Sequence, residues 1–200
     1  RSIFAGSLEE EHPMQSIHNM NEDIQRVLVN ETELNRITFR IAEEIDRDYA
    51  DSEHLLLLCI LKGSVVFMSE LMRKLTKPVE IDFMRVSSYG SGTVSSKNVN
   101  IILDIHRQDL SQCDVLIIED IIDSGRTLAY LVDYLKLKGC KSVKTCTLLD
   151  KPSRREVDYK ADYVGLEIPD EFVVGYGLDF DERYRTLPYV GILKPEAYQK

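Results

Sequence analysis

The 200-residue sequence has no excess of positive charge: 34 Asp and Glu stand against 25 Lys and Arg, a formal net charge of -9. Nucleic acids and anionic membranes select clustered Lys and Arg, so broad binding to either is not expected, and a small-molecule partner fits better. Cysteine is sparse. Cys59, Cys113, Cys140 and Cys146 form no CxxC, and Cys59 and Cys146 sit inside apolar runs, so they read as reduced core thiols of a cytoplasmic protein. The most apolar run, residues 55–61, is far shorter than the ~20 residues a membrane helix needs. Residues 1–15 carry Glu9, Glu10 and Glu11 and lack the charged-then-apolar order of an export signal. Residues 1–19 are read as a disordered tail or a cloning remnant, with Met14 or Met20 as candidate native starts. No internal repeat and no Pro-rich or Gly-rich linker divides the rest, which predicts a single domain over residues 20–200.

What is present is an alternation of periods. From Glu31 the apolar positions Leu34, Ile37, Ile41 and Ile45 form a helical stripe. Residues 55–61 are continuously apolar, the mark of a strand buried on both faces of a parallel sheet. A helix is predicted over 64–75, with Val65, Met68, Leu71, Met72 and Leu75 on its apolar face and Lys77-Pro78 beyond its end. Strands are predicted at 79–87, 100–105, 115–118, 143–149, 163–168 and 189–193, and a helix at 126–138 closed by Gly139. The Ser/Gly segment 88–98 has no apolar period and reads as a loop. The order implies an α/β fold with a mainly parallel central sheet flanked by helices.

Open α/β sheets bind ligands beyond the carboxyl ends of their strands. There the sequence places Glu119 and Asp120, and then Asp123-Ser124-Gly125-Arg126-Thr127 ahead of a helix. A helix start offers unpaired N–H groups and a positive dipole end to a phosphate, Gly125 allows close backbone approach, and Ser124 and Thr127 add hydroxyl donors. The two acids are acceptors suited to ribose hydroxyls. The set describes a ribose 5-phosphate site. For any single residue a plainer reading stays open, in which Asp123 or Ser124 caps the helix and Glu119 and Asp120 are solvated loop acids. No GxxxxGK[ST] is present, so a Walker loop is excluded, and Gly90-Ser91-Gly92 and Gly175-Tyr176-Gly177 lack the third glycine of a dinucleotide fingerprint.

The stretch 115–127 resembles the phosphoribosyl pyrophosphate signature of the type I phosphoribosyltransferases, and within that family the hypoxanthine-guanine enzymes. Leu61-Lys62-Gly63-Ser64, Ser88-Tyr89-Gly90, Leu149-Asp150-Lys151-Pro152 and the run from Phe172 through Val173 and Gly177 to Asp179 extend the likeness from about Asn30 to the C-terminus. The resemblance implies that family's fold, with a small hood built from the N-terminal segment and residues of about 165–200. It implies that Glu119 and Asp120 contact ribose, that Asp123 to Thr127 wrap the 5-phosphate, and that Asp123 lies near purine N7 as a general base or charge stabiliser. Lys62 and Gly63 would bind pyrophosphate through a turn with a cis peptide after Leu61. Lys151 would favour a carbonyl at purine C6, Phe172 would stack on the base, and the Val173 carbonyl would meet the C2 group, with Asp179 also lining the purine site. Asp179, with Glu119 and Asp120, would serve magnesium, and Arg185 would reach pyrophosphate.

Plainer readings remain beside these: Lys62 or Arg185 as solvated cations, Arg183 in place of Arg185, Phe172 as an ordinary core aromatic. The implied reaction is attack of purine N9 at ribosyl C1 with pyrophosphate leaving. Segment 88–98, with Ser88 and Tyr89, would be a lid excluding water, or else a surface hairpin connection. A homodimer or homotetramer follows from the resemblance alone. Two rivals stay open, a xanthine-preferring transferase and a regulator of the same fold that senses phosphoribosyl pyrophosphate; the acidic surface weighs against the second.

Overall fold

The computed structural model describes residues 19–88 and 99–199. A strand, β1 (Ile24–Val29), leads into helix α1 (Glu31–Asp48). The helix starts where a capping box closes: Asn30 Oδ1 accepts from the Glu33 N–H and Glu33 Oε2 from the Asn30 N–H, both at 3.0 Å. Its stripe buries Leu34, Thr38, Ile41, Ala42 and Ile45, with Ile37 partly covered. Strand β2 (Leu55–Leu61) follows, then helix α2 (Val65–Met72), β3 (Glu80–Ser88) and β4 (Val99–Leu103).

Helix α2 is shorter than the 64–75 expected, and Val65 is 40% exposed rather than on the buried face. A competing partner explains the early end. The Asp46 carboxylate of α1 accepts from both the N–H and the hydroxyl of Thr76 at 2.9 Å, drawing the chain away from the helix axis.

The remaining elements are β5 (Asp114–Ile122), α3 (Arg126–Leu137), β6 (Ser142–Asp150), β7 (Tyr163–Glu167), the two-residue β8 (Val173–Val174), β9 (Val190–Leu193) and a final turn of helix, α4 (Pro195–Tyr198). The main sheet runs β4-β3-β2-β5-β6-β7 and is parallel except for β4, which returns antiparallel beside β3. Alternation along β2 divides the core. Leu55, Leu57 and Cys59 join the cluster under α1 and α2, while Leu56, Leu58 and Ile60 join the one under α3. Burial on both faces accounts for the unbroken apolar run.

A second, antiparallel sheet of order β1-β9-β8 carries its own small core of Val174, Tyr184, Leu187 and Leu193. All four cysteines are free, with Cys59, Cys113 and Cys146 buried. No helix among the described residues is long and apolar enough to cross a membrane. Ser88 ends β3, whereas Tyr89 and the rest of the expected lid up to residue 98 lie outside the described residues, as do residues 1–18 of the expected tail.

Candidate active site

Strand β5 does not stop at Ile118. Its ladder with β6 continues through Glu119↔Thr147 to Ile122↔Asp150, so Glu119 and Asp120 belong to the strand's last turns of pleat and not to a loop after it. Regular pairing to β6 gives their backbones an ordered place, and Ile122 returns to the core. The Asp120 N–H donates to Glu119 Oε1 at 3.2 Å and the Ile121 N–H to Asp120 Oδ1 at 2.7 Å. Burial pushes both carboxyls above their ordinary range, and the Asp120 charge raises Glu119 further; at Asp120 the hydrogen bond with Glu119, backbone N–H donors and, least, the Arg185 charge offset burial only in part.

The loop after the strand forms an anion cradle. Gly125 is the N-cap of α3 with φ +80°, and no side chain caps the helix. A Cβ there would lie 2.9 Å from Arg155 Cδ, so both the backbone angle and the space call for glycine. Ser124 Oγ makes only a long 3.4 Å contact with the Arg126 N–H, and the capping reading of Asp123 and Ser124 loses its basis. Glu119, Asp123, Ser124, Gly125 and Thr127 share the wall of one cavity of about 190 Å³. The Arg126 side chain turns outward to Glu156, Nε to Oε2 2.6 Å.

Three distant segments meet beside this cavity. The Leu61–Lys62 peptide is cis, and a Cβ on Gly63 would fall 1.6 Å from Asp120 Oδ2. A Cβ on Gly177, whose φ is +102°, would fall 2.1 Å from the Gly63 carbonyl oxygen. Contacts this close leave room for glycine only, and they set the Lys62-Gly63 turn against both the acidic strand end and the segment 175–185. Lys62 Nζ pairs with Glu182 at 2.8 Å, and Arg185 reaches the Gly177 carbonyl at 2.8 Å, Asp179 at 3.0 Å and Glu182 at 3.2 Å. Arg183 turns elsewhere, to Asp23 at 3.9 Å and over the Tyr184 ring. Arg185 also lines a second cavity of about 420 Å³ bounded by residues of α1 and α2.

Lys151 follows the last residue of β6 and is only 9% exposed, with Asp170 Oδ1 the nearest carboxylate at 4.0 Å. Arg154 bridges from Asp170, 3.8 Å, to Asp123, 3.5 Å, and so ties the Lys151 segment to the phosphate loop. Phe172 is 37% exposed; the Tyr198 ring stacks on it at 4.7 Å and Phe180 meets it edge-on at 5.6 Å. Val173 is buried and pairs with Ile192.

A family profile described as the phosphoribosyl transferase domain matches residues 28–181. The hypoxanthine-guanine phosphoribosyltransferase of Bacillus subtilis is 50% identical over 180 residues, 90% of this chain and 99% of that protein. This chain belongs to the hypoxanthine-guanine phosphoribosyltransferase family. A solved hypoxanthine phosphoribosyltransferase from Staphylococcus aureus superposes on it with a TM-score of 0.86 at 45% identity, covering 94% of this chain and all of that one. The chain also matches the bifunctional TilS/HprT protein of Listeria monocytogenes, 53% identical over 182 residues, and there it spans 28% of the relative's length.

For a phosphoribosyltransferase the arrangement has one departure from expectation. Asp179, Glu119 and Asp120 do not gather into a single protein cage: among the described residues no three of His, Cys, Asp and Glu converge on a metal position. The donor chemistry still suits magnesium, since Glu119 and Asp120 are adjacent oxygen donors with their charge under-compensated, and magnesium commonly takes one or two carboxylates with substrate phosphates. Sequence reasoning missed Glu182, which holds Lys62 and Arg185 together, and the Arg154, Arg155 and Asp150 group around Asp123. The tandem arginines after Lys151-Pro152 were the available signal; their partners lie in strands and loops with no fixed spacing to them.

Proposed function

We propose that the chain transfers the 5-phosphoribosyl group from phosphoribosyl pyrophosphate to N9 of hypoxanthine or guanine, giving IMP or GMP and pyrophosphate. The observation that carries this reading is the shared cavity of Glu119 and the 123–127 loop, with the Gly63 turn packed against the neighbouring Asp120 and the Lys151 N–H bonded to the Ile122 carbonyl in the cavity wall. It supplies acceptors for ribose hydroxyls, unpaired helix N–H groups for the 5-phosphate, and cations near where a leaving group gathers charge.

In this scheme Ser124, Gly125, Arg126 and Thr127 hold the 5-phosphate and Glu119 and Asp120 orient the ribose. Lys62, Gly63 and Arg185 receive pyrophosphate. Asp123 takes or shares the proton at purine N7, and Lys151 donates to the C6 carbonyl while Phe172 and Val173 frame the ring. Bound magnesium, held by Asp179 or by Glu119 and Asp120 with substrate oxygens, would supply charge neutralisation at the pyrophosphate. Ser88 and Tyr89 belong to the proposed lid. The whole works as one domain over residues 20–200, with the β1-β9-β8 sheet as its hood. Free cysteines fit a reducing cytoplasm, and assembly as a homodimer or homotetramer follows family precedent.

One assay tests the proposal: pyrophosphate release from phosphoribosyl pyrophosphate with hypoxanthine, guanine, xanthine or adenine, each with and without magnesium. Turnover with the first two and dependence on magnesium are expected. Absence of turnover with every purine overturns the enzymatic reading, and a preference for xanthine overturns the base assignment alone.

A further inference from the structure

Arg155 does not itself line the cavity, yet it joins the two loops that the proposed reaction uses. Its Nη1 donates to the backbone carbonyl of Asp123 at 2.6 Å. Its Nη2 donates to the Asp150 carboxylate at the end of β6, and the two side chains are 16% and 7% exposed. Its Cδ fills the space that glycine leaves at position 125. Two backbone bonds run alongside: the Lys151 N–H donates to the Ile122 carbonyl and the Glu156 N–H to the Ser124 carbonyl, both at 3.0 Å.

We infer that Arg155 is a positioning residue, which aims the Asp123 carboxylate at the purine by fixing the Asp123 carbonyl against Asp150. The inference rests on the reading of Asp123 given above. The Asp123 side chain is exposed, and its ion pair to Arg154 is long, 3.5 Å, so little on the side chain itself sets its direction. Its backbone does. A carbonyl gripped by a guanidinium that is itself anchored on a buried carboxylate cannot rotate freely, and the side chain leaves Cα at an angle fixed by that peptide. The same guanidinium sets how far the phosphate loop stands from Lys151, one residue beyond Asp150. Only a planar fork of donors reaches both acceptors together; a lysine ammonium reaches one.

The test is a double-mutant cycle of Arg155→Lys with Asp123→Ala, reading kcat for IMP formation at saturating substrates. Arg155→Lys keeps the positive charge against Asp150 and releases the Asp123 carbonyl. In the otherwise native chain it should lower kcat about 10-fold or more, the loss typical of a charge-assisted hydrogen bond. In the Asp123→Ala background, where no carboxylate remains to be aimed, it should change kcat by less than about 2-fold. Should Arg155→Lys fold poorly, the neutral pair Arg155→Met with Asp150→Asn replaces it, removing the buried charge together with its partner, and the same two outcomes apply.

An equal loss in both backgrounds means that Arg155 only stiffens the fold, and overturns the inference. So does an undiminished kcat for Arg155→Lys in the otherwise native chain while Asp123→Ala alone is slow. An Asp123→Ala enzyme with undiminished kcat would remove the Asp123 reading itself, and the inference with it, a result distinct from the other two.

Discussion

Asp179 and Arg185 form an ion pair, Oδ1 to Nη1 3.0 Å, and the same guanidinium donates to the Gly177 carbonyl at 2.8 Å. The acid proposed for magnesium and the cation proposed for pyrophosphate therefore hold one another in place, with Glu182 linking the pair to Lys62. Arg185→Lys keeps a charge and loses the fork that serves Gly177 and Asp179 together. The expected result is a fall of about 10- to 100-fold in kcat/KM for phosphoribosyl pyrophosphate, the range of one or two charge-assisted hydrogen bonds. Steady-state kinetics varying each substrate in turn checks it; a loss confined to the purine would contradict the pyrophosphate role.

Gly63 gives a sharper steric case. A methyl at this position would stand 1.6 Å from Asp120 Oδ2, so Gly63→Ala must displace either the turn or the acid. Both belong to the proposed substrate site, and a 1 Å misplacement there costs on the order of 100-fold. Activity should fall by at least about that factor while far-UV circular dichroism stays native. An active Gly63→Ala enzyme would mean that the turn and Asp120 separate without consequence.

How much of this was legible beforehand depends on the range of the forces involved. Strands β2 and β5 and helix α1 announced themselves because burial writes a local period, and the glycine of the phosphate loop because φ +80° has few other tenants. Strand β1 escaped notice since its residues are half exposed and its pairing with β9 joins Ile24 to Leu193 across the whole chain. Two-residue β8 is too short for any period. The acids were placed one step too far, beyond a strand that in fact continues, because charged residues end an apolar run in sequence but do not end a ladder paired to β6. Glu182, Arg154 and Arg155 act through partners fixed only by the tertiary fold, and nothing in their own neighbourhood encodes the pairing.

Asp114, at the start of β5, is one of the carboxyls whose pairing contributes stability that acid removes. Burial alone would push its carboxyl up, but hydrogen bonds from Ser142 at 2.7 Å, Ser52 at 2.6 Å and Lys141 at 3.1 Å outweigh that and hold it below the ordinary value of 3.8. A carboxyl lowered by folding contributes stability above its unfolded value and loses it as the pH falls through the folded one. Asp114→Asn should therefore be less stable than the native chain at pH 7, by about 2 kcal/mol or roughly 4–8 °C in Tm. The difference should shrink as the pH falls below 3.8. Thermal melts of both proteins across pH 2.5–7, near the range set by ordinary carboxyl values of about 4, would reveal a pH-independent gap if the contacts are mere packing.

Lys151 puts the base preference at risk in a single substitution. The residue is only 9% exposed and its nearest carboxylate is 4.0 Å away, so its ammonium is a donor with no close ionic partner among the described residues. A donor in that state rewards a carbonyl at purine C6 and penalises an amino group, and losing it should hurt the preferred base more than the rejected one. Lys151→Gln retains a hydrogen-bond donor but brings an acceptor too, and loses the charge. The prediction is a fall of about 100-fold in kcat/KM for hypoxanthine, and a hypoxanthine-to-adenine ratio reduced at least about 10-fold. Competition between the two bases at fixed phosphoribosyl pyrophosphate measures that ratio directly. If both bases lose equally, Lys151 supports the loop and does not read C6, and selection must then come from backbone groups around Val173, where a side-chain substitution would leave it intact.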